Sequence, residues 1–273
     1  MEKLQAALEK ARNHRKAGAQ VQGHTAAAAT ASRTRRQASG PANWSDLQEI
    51  ELSGAALHEH NIVTRQASTE ATPFDILRTK ILLQMRENGW KRLAITSPMP
   101  QSGKTTMACN LALGLGRQGG LHTMLFDLDL QDPSIGAFLG HAPQTHIADM
   151  LSGEIPFAEQ AVRVGESVAI SMASRREKDP TRVLLAEKTR ETLQAVQSRY
   201  SPDIMIFDTP SILVGDNTRA FLKNVDCALI VARANATRYG HFDACEREIA
   251  EHTNVLGVVL NAFRAKDILS YME

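Results

Sequence analysis

Residues 97–106 read SPMPQSGKTT, and Gly103, Lys104 and Thr105 near its end are the residue types that bind phosphate. Between a strand and a helix, successive backbone N–H groups can wrap an oligophosphate, and the helix N-terminus adds positive potential. A lysine after the glycine then reaches the terminal phosphates, and the next hydroxyl is a ligand for Mg²⁺. The full pattern G-x-x-x-x-G-K-[ST] opens on glycine, whereas this chain has Pro98 at that place. Taken alone, the loop leaves a non-nucleotide turn open.

Carboxylates narrow the choice. HTMLFDLD (122–129) carries Asp127 and Asp129, and DIMIFD (203–208) ends on Asp208. In an open parallel sheet, ligands bind outside the carboxyl ends of the strands. Aspartates at two such ends can therefore meet the phosphates of the loop, as a hard cation bridging phosphates requires. The alternative, that Asp127 and Asp208 only cap turns, fits each aspartate singly and fits the combination poorly.

The surrounding sequence must place these groups together. RLAIT (92–96) reads as the strand before the loop, and Met107, Leu111 and Leu115 mark the helix after it. Further strands are expected at 122–129, 168–174, 203–208, 226–233 and 254–261. Helices are expected from Glu70 (Phe74, Leu77, Ile81, Met85), over 181–200 (Leu185, Leu193, Val196, Tyr200) and around Phe242, Cys245 and Ile249. Near-continuous apolar strands alternating with helices predict an α/β fold, a doubly wound and mostly parallel sheet covered by helices on both faces.

The division along the chain follows composition. Residues 1–43 form a basic tail, with eight Lys and Arg against Glu2 and Glu9; Leu4, Ala7, Leu8 and Ala11 allow a short amphipathic helix, and an Ala/Gly/Ser-rich linker follows. Residues 44–69 read as a connecting segment laid on the surface of the core, and 70–273 as the main domain with a short C-terminal tail. The dispersed charges lack interleaved aromatics or a reading helix, so no nucleic-acid partner is expected. Three widely spaced cysteines (Cys109, Cys227, Cys245) fit a reducing cytoplasm, and no apolar run approaches the length of a membrane span.

Together these motifs resemble the bacterial tyrosine kinases of capsule and exopolysaccharide synthesis, a branch of the P-loop ATPases related to MinD and ParA. The resemblance covers roughly residues 70–263: LRTKI, the loop at 97–106, LFDLDLQDP (125–133), DPTRVLL (179–185), IMIFDTPSILVGD (204–216), VARANAT (231–237) and GVVLN (257–261). The N-terminal MEKLQAALEKAR is also similar to the start of tyrosine autokinases from exosortase-linked loci. The resemblance implies ATP and Mg²⁺ as cofactors. Gln101, Ser102, Gly103, Lys104, Thr105 and Thr106 would form the phosphate cradle, and Arg233 and Asn261 would lie near base and ribose. Thr105, Asp127 and Asp208 would serve the metal, with Lys104, Asp127, Asp129 and Asp208 catalytic and Asp127 the proton acceptor. Asp216 matches a further acidic position.

Several departures qualify what is implied. Met99 stands where the MinD and ParA relatives carry a signature lysine, and Gln131 where an arginine is usual. In the helix that mediates ring assembly (E-x-x-R-x-x-R), only Arg78 aligns, with Thr72 and Asp75 in the other places, so a homo-oligomer built through it is doubtful. The C-terminal tyrosine cluster is reduced to Tyr271, the best candidate phosphoacceptor; Tyr200 and Tyr239 read as packing residues. The expected function is an autokinase controlling polysaccharide polymerisation or export. Its expected partner is the cytoplasmic end of a membrane-embedded polysaccharide copolymerase, which would recruit it to the inner face of the membrane. The alternatives are a nucleotide-switched ATPase adaptor without tyrosine transfer, and a scaffold that binds no nucleotide.

Overall fold

Eight strands form one sheet in the computed structural model, which describes residues 44–263; the readings made on residues 1–43 and on Tyr271 lie outside the described residues. The strands are β1 (Gln48–Glu49), β2 (Arg92–Thr96), β3 (Thr123–Asp127), β4 (Val162–Val164), β5 (Val168–Ser171), β6 (Ile204–Asp208), β7 (Cys227–Arg233) and β8 (Asn254–Asn261). Their order is β1-β4-β5-β3-β6-β2-β7-β8, parallel throughout except between β4 and β5. Every residue of β2, β3 and β6 is buried, which explains why their sequences are apolar without alternation.

The helices are α1 (Gly54–Glu59), α2 (Thr72–Asn88), α3 (Lys104–Gly116), α4 (Ile135–Leu139), α5 (Ile147–Leu151), α6 (Phe157–Gln160), α7 (Pro180–Leu185), α8 (Glu187–Tyr200), α9 (Asn217–Leu222) and α10 (Tyr239–Ala250). They enclose two cores. In one, Phe126 of β3 stacks on Phe207 of β6 at 4.9 Å, and Phe207 meets Phe221 of α9 at 5.0 Å, with Leu193, Cys245 and Ile249 around them. In the other, Ile81 and Met85 of α2 and Leu111 and Leu115 of α3 pack with Ile95, Leu125 and Ile206. Gly116 lets α3 lie close to β5, since a Cβ there would sit 2.2 Å from Val168 Cγ2. All three cysteines are buried and unbridged. No helix among the described residues is long and apolar enough to cross a membrane.

Four features differ from the sequence expectations. The segment before Glu70 does not merely lie on the core: it contributes β1 to the sheet, and Trp44, Leu47, Leu52, Leu57 and Ile62 are buried. Asn110 of α3 ties it down, accepting from the N–H groups of Val63 (2.9 Å) and Thr64 (3.2 Å) and donating to the Asn61 carbonyl (3.0 Å). The single helix expected over 181–200 is two helices, broken where Ala186 is extended (ψ 135°). The Val183 carbonyl accepts from the Ala186 N–H at 3.3 Å and from Thr189 Oγ1 at 2.6 Å, and Leu185, expected on the apolar face, is exposed. Tyr200 is buried as expected, but Tyr239, the first residue of α10, is 81% exposed, its ring lying 6.4 Å from that of Phe242 on the helix surface. Arg78 turns inward, donating to Asp75 (2.7 Å) and to the Gly114 carbonyl (3.1 Å), so the one aligning arginine of the assembly pattern is spent on the α2–α3 contact.

Candidate nucleotide-binding site

Strand β2 runs into the phosphate loop, and the loop is folded by its own hydroxyls. Ser97 Oγ and Ser102 Oγ both donate to the Met99 carbonyl at 2.8 Å. Gln101 (φ 60°) and Gly103 (φ 87°) adopt left-handed backbone, the alternation that turns successive N–H groups toward one concavity. Gly103 caps α3 in a conformation that residues with a Cβ rarely adopt, and a Cβ there would lie 2.2 Å from Asn261 Nδ2 and displace that side chain. Lys104 and Thr105 then open the helix, as its N-terminal potential requires for an anion.

The two aspartates arrive from neighbouring strands in register. Asp127 of β3 and Asp208 of β6 are Cα partners at the carboxyl ends of their strands, and both are fully buried. Thr105 Oγ1 donates to Asp208 Oδ2 at 2.6 Å, and Ser134 Oγ lies 3.3 Å from the same threonine oxygen. The Ile135 N–H donates to Asp127 Oδ2 at 3.3 Å. Oδ1 of Asp127 and Oδ1 of Asp208 are buried without a hydrogen-bond partner among the described residues. Burial, and then the Asp208 charge, push the Asp127 carboxyl well above the usual carboxylate range. Burial likewise pushes Asp208 up to about 7, against the opposing pull of Lys104 and the Thr105 hydroxyl. Asp129, half-buried one turn beyond β3, is raised by burial and held down by Lys104.

Two orphaned carboxylate oxygens beside a threonine hydroxyl and a lysine form a hard-oxygen donor set. Burial disfavours the ionised form of both carboxyls, and a hard cation at the orphaned oxygens would offset that, so the residues present fit Mg²⁺. The adjoining cleft, about 460 Å³, is lined by Gln101, Lys104, Thr105, Thr106, Asp129 and Ser211, among others. A larger groove of about 760 Å³ lies between α5, α6 and α8 and shares no residue with this cleft.

The remaining expected residues are placed as follows. Arg233, at the end of β7, donates to the Gln101 carbonyl at 2.7 Å, and Asn261, at the end of β8, to the Ser102 carbonyl at 2.9 Å. Both therefore hold the backbone of the loop. Asp216 sits before α9 and accepts from Thr181 Oγ1 of α7 at 2.8 Å, outside the cleft lining. Ser211 escaped the sequence reading. Ser211 Oγ accepts from Lys104 Nζ at 3.4 Å and pairs with Ser97 Oγ at 3.0 Å, which holds the lysine over the strand ends. The available signal was the serine in DTPS, two residues after Thr209, where the D-T-P-P pattern has proline.

Residues 93–273 match the family described as the CobQ/CobB/MinD/ParA nucleotide binding domain. AmsA of Erwinia amylovora, which bears a tyrosine-protein kinase name, is 26% identical over 198 residues, 71% of this chain and 27% of AmsA. The tyrosine-protein kinase CpsD of Streptococcus agalactiae is 25% identical over 200 residues, 72% of this chain and 84% of CpsD. The chain spans about a quarter of the length of the first curated relatives it matches. In fold, it is similar to the kinase domain of the Escherichia coli tyrosine kinase ETK, with a TM-score of 0.65 and 19% identity over 78% of this chain and 94% of that domain. The chain belongs to the CobQ/CobB/MinD/ParA nucleotide-binding domain family.

Proposed function

We propose that the chain is an ATP- and Mg²⁺-dependent protein-tyrosine kinase of capsular or exopolysaccharide synthesis. The observation that carries the reading is the in-register pair Asp127 and Asp208, buried with orphaned oxygens beside Thr105 and Lys104. The names of curated relatives supply the tyrosine substrate. Thr105, Asp127 and Asp208 would hold Mg²⁺, whose charge would offset that of the phosphates when bound. Loop amides from Gln101 to Thr106 bind the β and γ phosphates, and Lys104 leaves Ser211 to reach them. A tyrosine oxygen attacks the γ phosphorus as the bond to the β-phosphate oxygen breaks; ADP departs, and Asp127 accepts the phenolic proton. Asp129 lines the cleft and offsets the Lys104 charge.

Tyr271 is the proposed acceptor, and the cytoplasmic end of a membrane-embedded polysaccharide copolymerase the activating partner that brings the chain to the inner membrane face. Purified protein incubated with ATP and Mg²⁺, then mapped for phosphotyrosine by mass spectrometry, tests the reading. Signal at Tyr271 that disappears in Lys104→Met is expected. No phosphotyrosine even with the partner present, alongside intact ATP hydrolysis, would replace the kinase by a nucleotide-switched adaptor.

A further inference from the structure

The segment that follows β5 mounts a second cation beside the nucleotide cleft. Residues 174–179 read SRREKD. The Ser174 N–H donates to Nδ1 of the buried His146 at 3.2 Å. Arg175 donates to both carboxylate oxygens of Asp149, at 2.8 and 3.4 Å. The Glu177 N–H donates to the Leu130 carbonyl at 2.8 Å, and Asp179 caps α7 by accepting from the Arg182 N–H at 3.1 Å. The backbone on either side of Arg176 is thereby fixed against the loop that follows β3. From this mount the Arg176 guanidinium reaches over the loop to Asp132 Oδ1 at 3.0 Å. Asp132 lines the cleft one turn beyond Asp129, with its N–H donating to the Asp129 carbonyl at 3.1 Å.

The cleft itself is short of positive charge. Among the described residues Lys104 is the only cation in its lining, against Asp129 and Asp132, with Asp127 and Asp208 at the strand ends behind. A nucleoside triphosphate with one divalent ion brings more negative charge than a single lysine offsets, and in transfer that charge spreads over the oxygens of the γ group. The Arg176 side chain is 76% exposed and that of Asp132 81%, so their ion pair is weak and easily parted. Phosphoryl oxygens are the better partner, since they match two N–H groups of the planar guanidinium at once. We propose that Arg176 is a further catalytic residue: when ATP fills the cleft, its guanidinium leaves Asp132 for the γ-phosphoryl oxygens and stabilises the charge they carry during transfer. It approaches from the β3 and β5 side of the sheet, where Asp127 lies, whereas Arg233 on the β7 side is engaged at the Gln101 carbonyl. The bonds made and broken are those of the transfer itself, and the arginine gives up no proton. The proposal rests on the ATP-binding reading of the site and is independent of the acceptor, because tyrosine and water draw the same charge onto the γ group.

Single-turnover loss of the γ phosphate from ATP, followed on the full chain with Mg²⁺, tests it beside calorimetry with Mg²⁺–ADP. Arg176→Ala should slow the turnover about 1,000-fold, the lower end of what an arginine on the transferring group contributes. Its affinity for Mg²⁺–ADP should stay within about two-fold of wild type, because ADP lacks the γ group. Guanidinium ion added to Arg176→Ala should restore the rate at least about ten-fold where sodium at equal ionic strength does not, a rescue that a merely structural arginine would not show. Asp132→Asn breaks the same ion pair but frees the arginine, so it should turn over up to about five-fold faster than wild type. A slowing in Asp132→Asn equal to that in Arg176→Ala, or an Arg176→Ala rate within about ten-fold of wild type, would overturn the proposal. Wild-type protein that binds no Mg²⁺–ADP would bring down the ATP-binding reading and the proposal with it, an outcome that calorimetry reads before any rate is measured.

Discussion

Replacing Asp208 by asparagine should stabilise the protein, free of nucleotide and metal, at pH 8 and destabilise it at pH 5. In the fold, burial brings the Asp208 carboxyl up to about 7, with Asp127 beside it in register. In the unfolded chain an aspartate titrates near 4. Three pH units at about 1.36 kcal/mol each give a cost of about 4 kcal/mol for keeping Asp208 ionised in the folded protein above pH 7. The sign follows from proton counting. Between about pH 4 and 7 the folded state binds a proton that the unfolded state has released, so stability falls as pH rises through that window. Asparagine removes the charge, but its amide N–H₂ takes the place of an oxygen that has no partner, at a cost of about 1–3 kcal/mol. The variant should therefore gain about 2 kcal/mol at pH 8 and lose less than about 1 kcal/mol at pH 5, where the wild-type carboxyl is neutral in the fold but already ionised in the unfolded chain, about one pH unit of the three. Urea unfolding in EDTA at pH 5, 6.5 and 8 measures this, and the difference between the proteins cancels the groups that titrate in both. A difference that stays constant over this range would mean Asp208 ionises without cost, and the argument for a cation between the two aspartates would fail with it.

Three further outcomes follow from the same contacts. Lys104→Met should weaken Mg²⁺–ADP binding by about 2–3 kcal/mol, or 30- to 150-fold, as measured by calorimetry, since a charge-assisted hydrogen bond is lost. Asn110→Ala strips partners from the Val63 and Thr64 N–H groups and from the Asn61 and Thr106 carbonyls; it should cost about 3 kcal/mol in urea unfolding. Arg233→Ala should weaken nucleotide binding more in the wild type than in a Gln101→Gly background, with a coupling of about 1 kcal/mol, because glycine needs no clamp to stay left-handed. Additive effects in that cycle would mean that Arg233 acts on the nucleotide directly.

The central strands and both aspartates were legible because buried parallel strands have few options. β2 and β8 have the bounds read from RLAIT and NVLGVVLN, and Asp208 ends β6 as expected. Asp129 was read inside a strand that stops at Asp127, since the chain must leave the sheet there for Asp127 Oδ2 to meet the Ile135 N–H. β1 and β4 were not legible: two and three residues long, they pair through backbone groups and carry no periodicity. The break at Ala186 was also invisible, because Ala is the strongest helix former and no pattern marks Thr189 as the added donor to the Val183 carbonyl, which the Ala186 N–H also meets. Polar contacts across the loop depend on residues more than 100 positions apart, such as Lys104 with Ser211, and no local pattern announces them.

Those long-range contacts also account for a phosphate loop that is short of glycine. A non-glycine residue in left-handed backbone costs about 1–2 kcal/mol, and Gln101 sits there at φ 60° where more permissive loops place glycine. The Arg233 guanidinium donating to the Gln101 carbonyl is a charged hydrogen bond, a class that contributes about 1.5–3 kcal/mol, and Asn261 adds a neutral one at Ser102. Arg233 is exposed, so the lower end of that range applies, and it still matches the strain. The loop therefore keeps its shape through the ends of β7 and β8, where a glycine-rich loop would keep it through its own freedom. This ties the cradle to the edge of the sheet that β8 forms. Perturbing β8 near Asn261 should reach the phosphates through the Ser102 and Gly103 backbone, with no contact between the altered residue and the nucleotide.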